Sequence, residues 1–154
     1  MAGTKATYGY VDTIAHGAQK GLDECKEQFK WDVWNCPPSM FTQIFNKNNL
    51  LPSNKETAFV HAIISAGIVH TITKNCSRGQ FEKCSCNSKT SQMDVEEAAQ
   101  GAFRWGGCSD DLTFGIEITK SYLDAREIGH DSKAKVNLHN NNVGRMVSLS
   151  LFIF

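Results

Sequence analysis

The fold class is decided by residues 53–72, which read SNKETAFVHAIISAGIVHTI. Ser53 and Glu56 fit a capping box, in which two side chains satisfy the free backbone N–H groups at the start of a helix. Apolar residues are then nearly continuous over 59–72, and a helix that is apolar on most sides is normally central to a core. Gly67 in its middle would cost roughly 1 kcal/mol relative to alanine, unless another helix crosses closely there. The segment therefore predicts the central helix of a mainly α domain.

A first helix is predicted upstream of this central helix. Its apolar residues recur every three or four positions, which places them along one stripe: Val11, Ile14, Ala18, Leu22, Cys25 and Phe29. The following Cys36-Pro37-Pro38 ends regular structure because proline cannot continue a helix. Residues 39–52 are expected to form a polar, Asn-rich loop. Residues 75–107 are expected to form a long, cysteine-bearing loop after the central helix.

A third helix is predicted after that loop. It is expected to begin at Ser109 or Asp110, either of which can cap a helix, and to stop at Gly129. Its apolar stripe consists of Leu112, Ile116, Thr119 and Leu123.

A fourth helix is expected to begin after Asp131 or Ser132. Its apolar residues are Val136, Leu138, Val143 and Val147. The asparagines at 140–142 are poor helix formers, so tertiary packing must hold this helix. The four segments together predict a mainly α, disulfide-stapled helical bundle with a long loop between the second and third main helices.

Composition and charge limit the possible functions. The chain has 154 residues, enough for one domain, and 16 Lys plus Arg balance 16 Asp plus Glu. A zero net charge disfavours a broadly basic nucleic-acid binder. No run of about 20 apolar residues exists, so no membrane span is expected. The start at Met1–Lys5 has no apolar stretch behind it and does not read as a signal peptide.

The cysteines indicate an oxidising compartment. Their number is even, and all lie in the first 108 residues: Cys25, Cys36, Cys76, Cys84, Cys86 and Cys108. An even set in a chain of this size suggests a disulfide framework, although six cysteines allow fifteen pairings. Four of them, from Cys76 to Cys108, could supply zinc ligands, but their spacing lacks the Cys-x2-Cys arrangement of structural zinc sites. Disulfides are therefore preferred, and no metal is predicted.

An enzymatic reading is weak. Cys108 and Ser109 lie on a Gly-rich turn before a predicted helix, superficially like an activated nucleophile. The candidate bases are the five histidines His16, His61, His70, His130 and His139. None of them lies in a recognisable hydrolase motif. No catalytic residue is predicted.

Two further features concern recognition and modification. Asn75-Cys76-Ser77 is an N-glycosylation sequon at the predicted end of the long helix, and both the sequon and the cysteines belong to the secretory route. Trp31 and Trp34 precede the first proline pair. They are expected to pack on the first disulfide, or, if exposed, to form a contact patch.

Several of these motifs occur together in a known order. The blocks are ECKEQFKWDVWNCP at 24–37, ETAFVHAIISAG at 56–67, Cys76-Ser77-x-Gly79, Cys84-x-Cys86, WGGCSD at 105–110 and NLHNN at 137–141. Together they cover roughly residues 8–145, and they resemble the Wnt family of secreted signalling proteins. Gly17-Ala18-Gln19 and the sequon look closest to the eighth subclass. The resemblance implies a partial N-terminal helical domain over 1–145, followed by a divergent apolar tail over 146–154.

The resemblance also implies site residues and partners. It pairs Cys25 with Cys36, Cys76 with Cys84, and Cys86 with Cys108. It implies a secreted ligand of Frizzled-type receptors and lipoprotein-receptor-related co-receptors, with no cofactor. The family's palmitoleoyl-serine hairpin has no match in this sequence, so weak or interfering activity is expected from the chain alone. The alternative is a secreted six-cysteine helical lipid-binding protein, which would need an apolar cavity.

Overall fold

The computed structural model describes residues 10–46, 51–84, 110–127 and 131–151. Five α-helices occupy these ranges: α1 Val11–Gln28, α2 Pro38–Ile44, α3 Lys55–Ser77, α4 Leu112–Leu123 and α5 Ser132–Leu151. A 3₁₀ turn, Asp124–Arg126, follows α4 directly. No strand occurs in the described ranges. The mainly α fold expected from the apolar spacing is therefore confirmed.

The long helix α3 lies at the centre of the bundle, with α1, α4 and α5 packed around it. Its apolar residues are almost fully buried, among them Val60, Ile64, Ile68, Val69 and Ile72. Ile14, Ala18 and Leu22 of α1 supply the facing side of the core, and Leu123 closes it from α4. The first predicted stripe is correct from Ile14 to Cys25. Val11 is 38% exposed, and Phe29 follows the last residue of α1 and is only partly buried.

The helices α1 and α3 cross closely, as expected from Gly67. A Cβ atom at Gly67 would overlap the carbonyl oxygen of Gly17, and a Cβ at Gly21 would lie 2.5 Å from the carbonyl oxygen of Ile63. A Cβ at Gly17 would lie 2.7 Å from the Cα of Ile68. Three glycines, two on α1 and one on α3, therefore bring the two backbones into direct contact.

The start of α3 differs from the sequence prediction. The N-cap is Asn54, whose side chain accepts a hydrogen bond from the backbone N–H of Thr57 at 2.9 Å. The predicted capping box that begins at Ser53 is therefore wrong by one residue. Asn and Ser cap helices about equally well, so the sequence could not distinguish these neighbouring candidates.

Replacing Asn54 with alanine is expected to lower the free energy of unfolding by about 1 kcal/mol, because the N–H of Thr57 loses its acceptor. Ser53→Ala is the matched control at the neighbouring position, and it should change stability little. Urea unfolding followed by circular dichroism measures both. If the Ser53 variant lost more free energy of unfolding than the Asn54 variant, Ser53 and not Asn54 would be the N-cap.

Two predicted loops are also corrected. Residues 39–52 are not entirely a loop, because Pro38 occupies the first turn of α2, which buries Met40 and Ile44. The predicted loop over 75–107 does not begin at Asn75, because the long helix continues through the sequon to Ser77. The stretch of the long loop at 85–109 lies outside the described residues.

The end of α3 is a Schellman motif. The N–H of Gln80 donates to the carbonyl of Asn75 at 3.0 Å, and the N–H of Gly79 donates to that of Cys76 at 2.9 Å. Gly79 adopts φ +72°, the left-handed conformation that this motif requires and that glycine tolerates.

The helix α4 begins later than predicted. Its N-cap is Asp111, which accepts from the N–H of Phe114 at 3.1 Å. Asp110 contacts α3 instead, and Ser109 lies outside the described residues. The helix ends at Leu123, before the predicted stop at Gly129, because a 3₁₀ turn follows it directly. On this helix Thr119 and Leu123 are buried as expected.

The helix α5 begins after Asp131, as expected from the sequence. Asp131 accepts from the N–H of Ala134 at 2.7 Å. The helix extends to Leu151, beyond the predicted boundary between residues 145 and 146.

Candidate functional site

The buried face of α5 is mostly polar. Three of the four apolar residues that the sequence analysis names on this helix, Val136, Val143 and Val147, are 42%, 38% and 47% exposed. The buried residues of α5, as far as its side chains are described, lie along one stripe and are Ala134, Asn137, Asn141, Gly144, Arg145 and Ser148. We call the buried contacts of Asn141 and Arg145 with α3 and the 3₁₀ turn the polar seam.

Asn141 connects three elements in the polar seam. Its Oδ1 lies 3.1 Å from Nδ1 of His61, and its backbone carbonyl accepts from the hydroxyl of Ser65 at 2.8 Å. Its Nδ2 donates to Oδ1 of Asp124 at 3.4 Å. The side chain is only 2% exposed, so these bonds take the place of water for a buried amide.

Arg145 forms the charged part of the polar seam. Its two terminal nitrogens donate to the two carboxylate oxygens of Asp124 at 3.0 and 3.1 Å, the fork-to-fork geometry that suits guanidinium and carboxylate. The side chain of Arg145 is 5% exposed and that of Asp124 is 19% exposed. Gly144, the residue before Arg145, lets α5 lie directly against α3, since a Cβ at this position would overlap the carbonyl oxygen of Ala62.

His61 is the titratable group of the seam on α3. Burial lowers the pKa of His61 below its ordinary value of 6.5, and the hydrogen bond with Asn141 opposes this only in part. The more distant charges of Glu127 and Lys133 act in opposite directions. The hydroxyl of Ser65, one turn further along α3, donates to the backbone carbonyl of Asn141. The seam joins α5 to α3 and to the 3₁₀ turn.

Stability is expected to fall as the pH drops below 6.5. The unfolded chain binds a proton at His61 near its ordinary pKa, whereas the folded chain binds one only at lower pH. The folded state is therefore favoured above 6.5, and this advantage is lost as the pH falls through the folded-state pKa. His70, although largely exposed, acts in the same direction, because its partial burial and the charges of Lys20 and Lys74 lower its pKa.

Thermal unfolding at a series of pH values tests this expectation. His61→Gln keeps an amide opposite Asn141 and should flatten the decline below pH 6.5. His139→Gln changes an exposed histidine on α5 and should leave the decline in place. An unchanged pH profile in the His61 variant would contradict the assignment.

A second feature is the exposed loop closed by the first disulfide. Cys25 is bonded to Cys36, with the two Cα atoms 6.0 Å apart. Between them, Trp31 is 91% exposed, and Val33 is fully exposed. We call residues 29–36 the Trp31 loop.

The two tryptophans of the Trp31 loop have different surroundings. Trp34 packs edge-to-face on Phe29, with ring centroids 5.0 Å apart, and Phe29 packs in the same way on Phe59 of α3. Only Trp31 is presented to solvent. An open groove of about 500 Å³ runs beside it, lined by Phe29, Asp32, Val33, Trp34, Lys55, Glu56 and Phe59. An exposed tryptophan beside an apolar groove is suited to protein contact.

A third feature is the end of α3, which carries the sequon. Cys76 is bonded to Cys84, with the Cα atoms 5.7 Å apart. Lys74 Nζ lies 2.7 Å from Oδ2 of Asp110, and the hydroxyl of Ser77 donates to the other oxygen of that carboxylate. Burial opposes ionisation of Asp110, but these hydrogen bonds and the charge of Lys74 outweigh it and hold its pKa below 3.8.

The remaining candidate residues are dispersed or not described. Cys86, Cys108 and His130 lie outside the described residues, while His16, His70 and His139 are exposed at separate places. Within the described ranges, no group of His, Cys, Asp or Glu side chains is placed to hold a metal ion. None of the helices in those ranges is long and apolar enough to cross a membrane.

The sequence interpretation did not identify Asn141, Arg145 or Asp124. A signal was present, because Asn137, Asn141, Gly144 and Ser148 have the spacing of a buried stripe. Apolar spacing does not reveal this stripe, because most of its residues are polar and Val136, Val143 and Val147 are exposed.

Comparisons with known proteins agree on one family. The model of the "wnt family" matches residues 3–152. Protein Wnt-8a of Danio rerio is 50% identical over 147 residues, which cover 95% of this chain and 39% of that protein. Protein Wnt-8b of Homo sapiens is 49% identical over 94% of this chain and 40% of its own length. The chain thus spans about two fifths of these curated relatives.

A solved structure is also similar. A chain from the complex of human WLS with WNT8A superposes with a TM-score of 0.73 at 42% sequence identity. The match covers 96% of this chain and 48% of that one. Similarity in sequence and in backbone therefore extends over nearly the whole chain.

Proposed function

Because the chain belongs to the Wnt family, whose members are signalling ligands and not enzymes, we propose that it acts as a secreted developmental ligand. The observation that carries this proposal is the 50% identity to Wnt-8a over 95% of the chain. Such a ligand presents a surface to receptors and performs no reaction of its own. Family membership favours this role over the lipid-binding alternative.

We expect Frizzled-type receptors and lipoprotein-receptor-related co-receptors as partners in the Wnt signalling pathway. Because the similar WNT8A was solved together with WLS, a WLS-type protein is a further expected partner. The family's acylated hairpin has no counterpart among these 154 residues. We therefore expect the chain alone to engage Frizzled weakly and to retain co-receptor contact.

A reporter assay combined with binding tests this function. The chain is produced in a secretory host and compared with a complete Wnt-8 relative, both for β-catenin reporter activation and for binding to the co-receptor ectodomain. We expect measurable co-receptor binding and weak activation. Activation at the level of the complete relative would contradict the expected weakness, and absent binding to every partner would contradict the ligand role.

The Trp31 loop is the contact surface that we favour for the co-receptor. Trp31→Ala removes the exposed indole, and we expect co-receptor affinity to fall by about tenfold or more. The reason is that a tryptophan that becomes buried in an interface is frequently a binding hot spot. Val147→Ala is the control, because it trims an exposed apolar side chain on α5. Equal binding by both variants and the unchanged chain would place the contact elsewhere.

The remaining covalent features are proposed on the same basis. We propose that Cys86 pairs with Cys108, in addition to the Cys25–Cys36 and Cys76–Cys84 bonds, and that Asn75 carries an N-linked glycan. Peptide mapping under non-reducing conditions tests the third bridge. Alkylation of Cys86 or Cys108 without prior reduction would contradict it.

A further inference from the structure

The sequon lies inside the last turn of α3, where each of its three side chains has a partner. The Nδ2 of Asn75 donates to the hydroxyl of Thr13 on α1 at 3.4 Å. Cys76 is 1% exposed and bonded to Cys84. The acceptor amide, the middle residue and the hydroxyl residue are thus all used by the folded domain.

The hydroxyl of the sequon is held by two acceptors. Ser77 Oγ donates to the carbonyl of Thr73 at 3.1 Å and lies within hydrogen-bond distance of Asp110. Asp110 is in turn bound to Lys74 at 2.7 Å, so the residue before the N-cap of α4 is tied to the end of α3. Freeing this hydroxyl would remove one of the two side-chain bonds that join Asp110 to α3.

The backbone here is also unsuited to glycan transfer. In a helix, residues two apart point about 200° from each other, so the Asn75 amide and the Ser77 hydroxyl lie on different faces. Glycosylated asparagines normally lie in accessible surface loops. The carbonyls of Asn75 and Cys76 accept the two bonds of the Schellman motif, which fixes this helical end.

We propose that glycosylation of Asn75 competes with closure of this corner, so that a glycan is added only before the Cys76–Cys84 bond has formed. The inference rests on the proposed secretory function, because both reactions belong to that route. Once α3 has ended in its Schellman motif and Cys76 is bonded, the sequon no longer accepts a glycan. The order of the two reactions then decides which form of the protein leaves the compartment.

The two competing reactions are chemically distinct. In the first, Nδ2 of Asn75 attacks the anomeric carbon of an oligosaccharide carried on a lipid pyrophosphate. A C–N bond forms, the carbon–oxygen bond to phosphate breaks, the lipid pyrophosphate leaves, and the amide proton passes to a base of the transferring enzyme. In the second, the thiols of Cys76 and Cys84 lose two electrons and two protons to a protein disulfide, which is reduced to a dithiol.

The test measures the glycosylated fraction of total protein in secretory-host lysates, from the mass lost on enzymatic removal of N-glycans. Behind a signal sequence, the unchanged chain should be only partly glycosylated. Cys84→Ser leaves the sequon intact but removes the partner of Cys76, and its glycosylated fraction should rise toward completion. Lysates are used because transfer precedes folding, so a variant that fails to fold still reports its occupancy.

Two more variants separate local competition from general misfolding. Cys36→Ser removes the other described disulfide and should leave occupancy at Asn75 unchanged. Gly79→Val opposes the left-handed conformation of the Schellman motif without altering the sequon or a cysteine, and should raise occupancy.

Three results would overturn the proposal. They are full occupancy in the unchanged chain, an equal rise in the Cys36 variant, and no glycan in any variant. Co-receptor binding by the unchanged chain is measured separately, so the ligand function stands or fails independently of this result.

Discussion

Gly67→Ala is expected to lower the free energy of unfolding by about 1–3 kcal/mol, although alanine is the better helix former. Propensity alone predicts a gain of about 1 kcal/mol for this change in a helix interior. The crossing predicts the opposite, since the new Cβ would overlap the carbonyl oxygen of Gly17. Backbone atoms on both sides cannot move aside as a flexible side chain would. The sign of the measured change therefore decides whether packing or propensity dominates.

Denaturant unfolding of the disulfide-intact protein measures this change. Ala15→Val adds side-chain volume at an exposed position of α1 and should have a small effect. Gly67→Val should be more damaging than Gly67→Ala, because it adds two further carbons at the crossing. A stabilised Gly67→Ala variant would show that α1 and α3 can separate at little cost.

Arg145→Met is expected to lower the free energy of unfolding by about 3 kcal/mol, because breaking a buried ion pair leaves its partner charge uncompensated. Asp124 would lose both guanidinium bonds and retain the longer one from Asn141 at 3.4 Å. Methionine preserves much of the apolar stem of arginine, so the loss reports mainly on the charge. Lys135→Met, at an exposed position of the same helix, is the control and should be nearly neutral.

A double-mutant cycle completes this test. Asp124→Asn removes the charge that Arg145 compensates, so the double variant should lose less than the sum of the two single variants. Strictly additive losses would indicate that Arg145 and Asp124 do not interact in solution. Urea unfolding of all four proteins under the same conditions gives the coupling energy directly.

The central part of the fold could be predicted from the sequence because it follows the usual rule of apolar residues inside. The spacing of Ile14, Ala18 and Leu22 predicted the face of α1 correctly. The unbroken apolar run of α3 predicted its central place. Gly67 pointed to a close crossing because glycine is otherwise costly in a helix. The family followed from motifs spread over most of the chain.

Other elements could not be derived from hydropathy alone. The short helix α2 is contained in a stretch that reads as polar, although Met40 and Ile44 are one helical turn apart. The polar seam depends on pairs far apart in sequence, such as His61 with Asn141, and no local pattern indicates which partner a buried amide will find. The apolar residues of α5 do not indicate its buried side, because the structure buries mainly polar residues of this helix.

Because the inner face of α5 is polar, its hydrogen bonds fix the position of this helix along its neighbours. Apolar surfaces can slide past each other by a turn and still exclude water, but a hydrogen-bonded face tolerates no such shift. Moving α5 by one turn would carry Arg145 away from Asp124 and place side chains instead of Gly144 against Ala62. Every misaligned position would therefore bury unpaired polar groups, and a single alignment of the helix is selected over its neighbours.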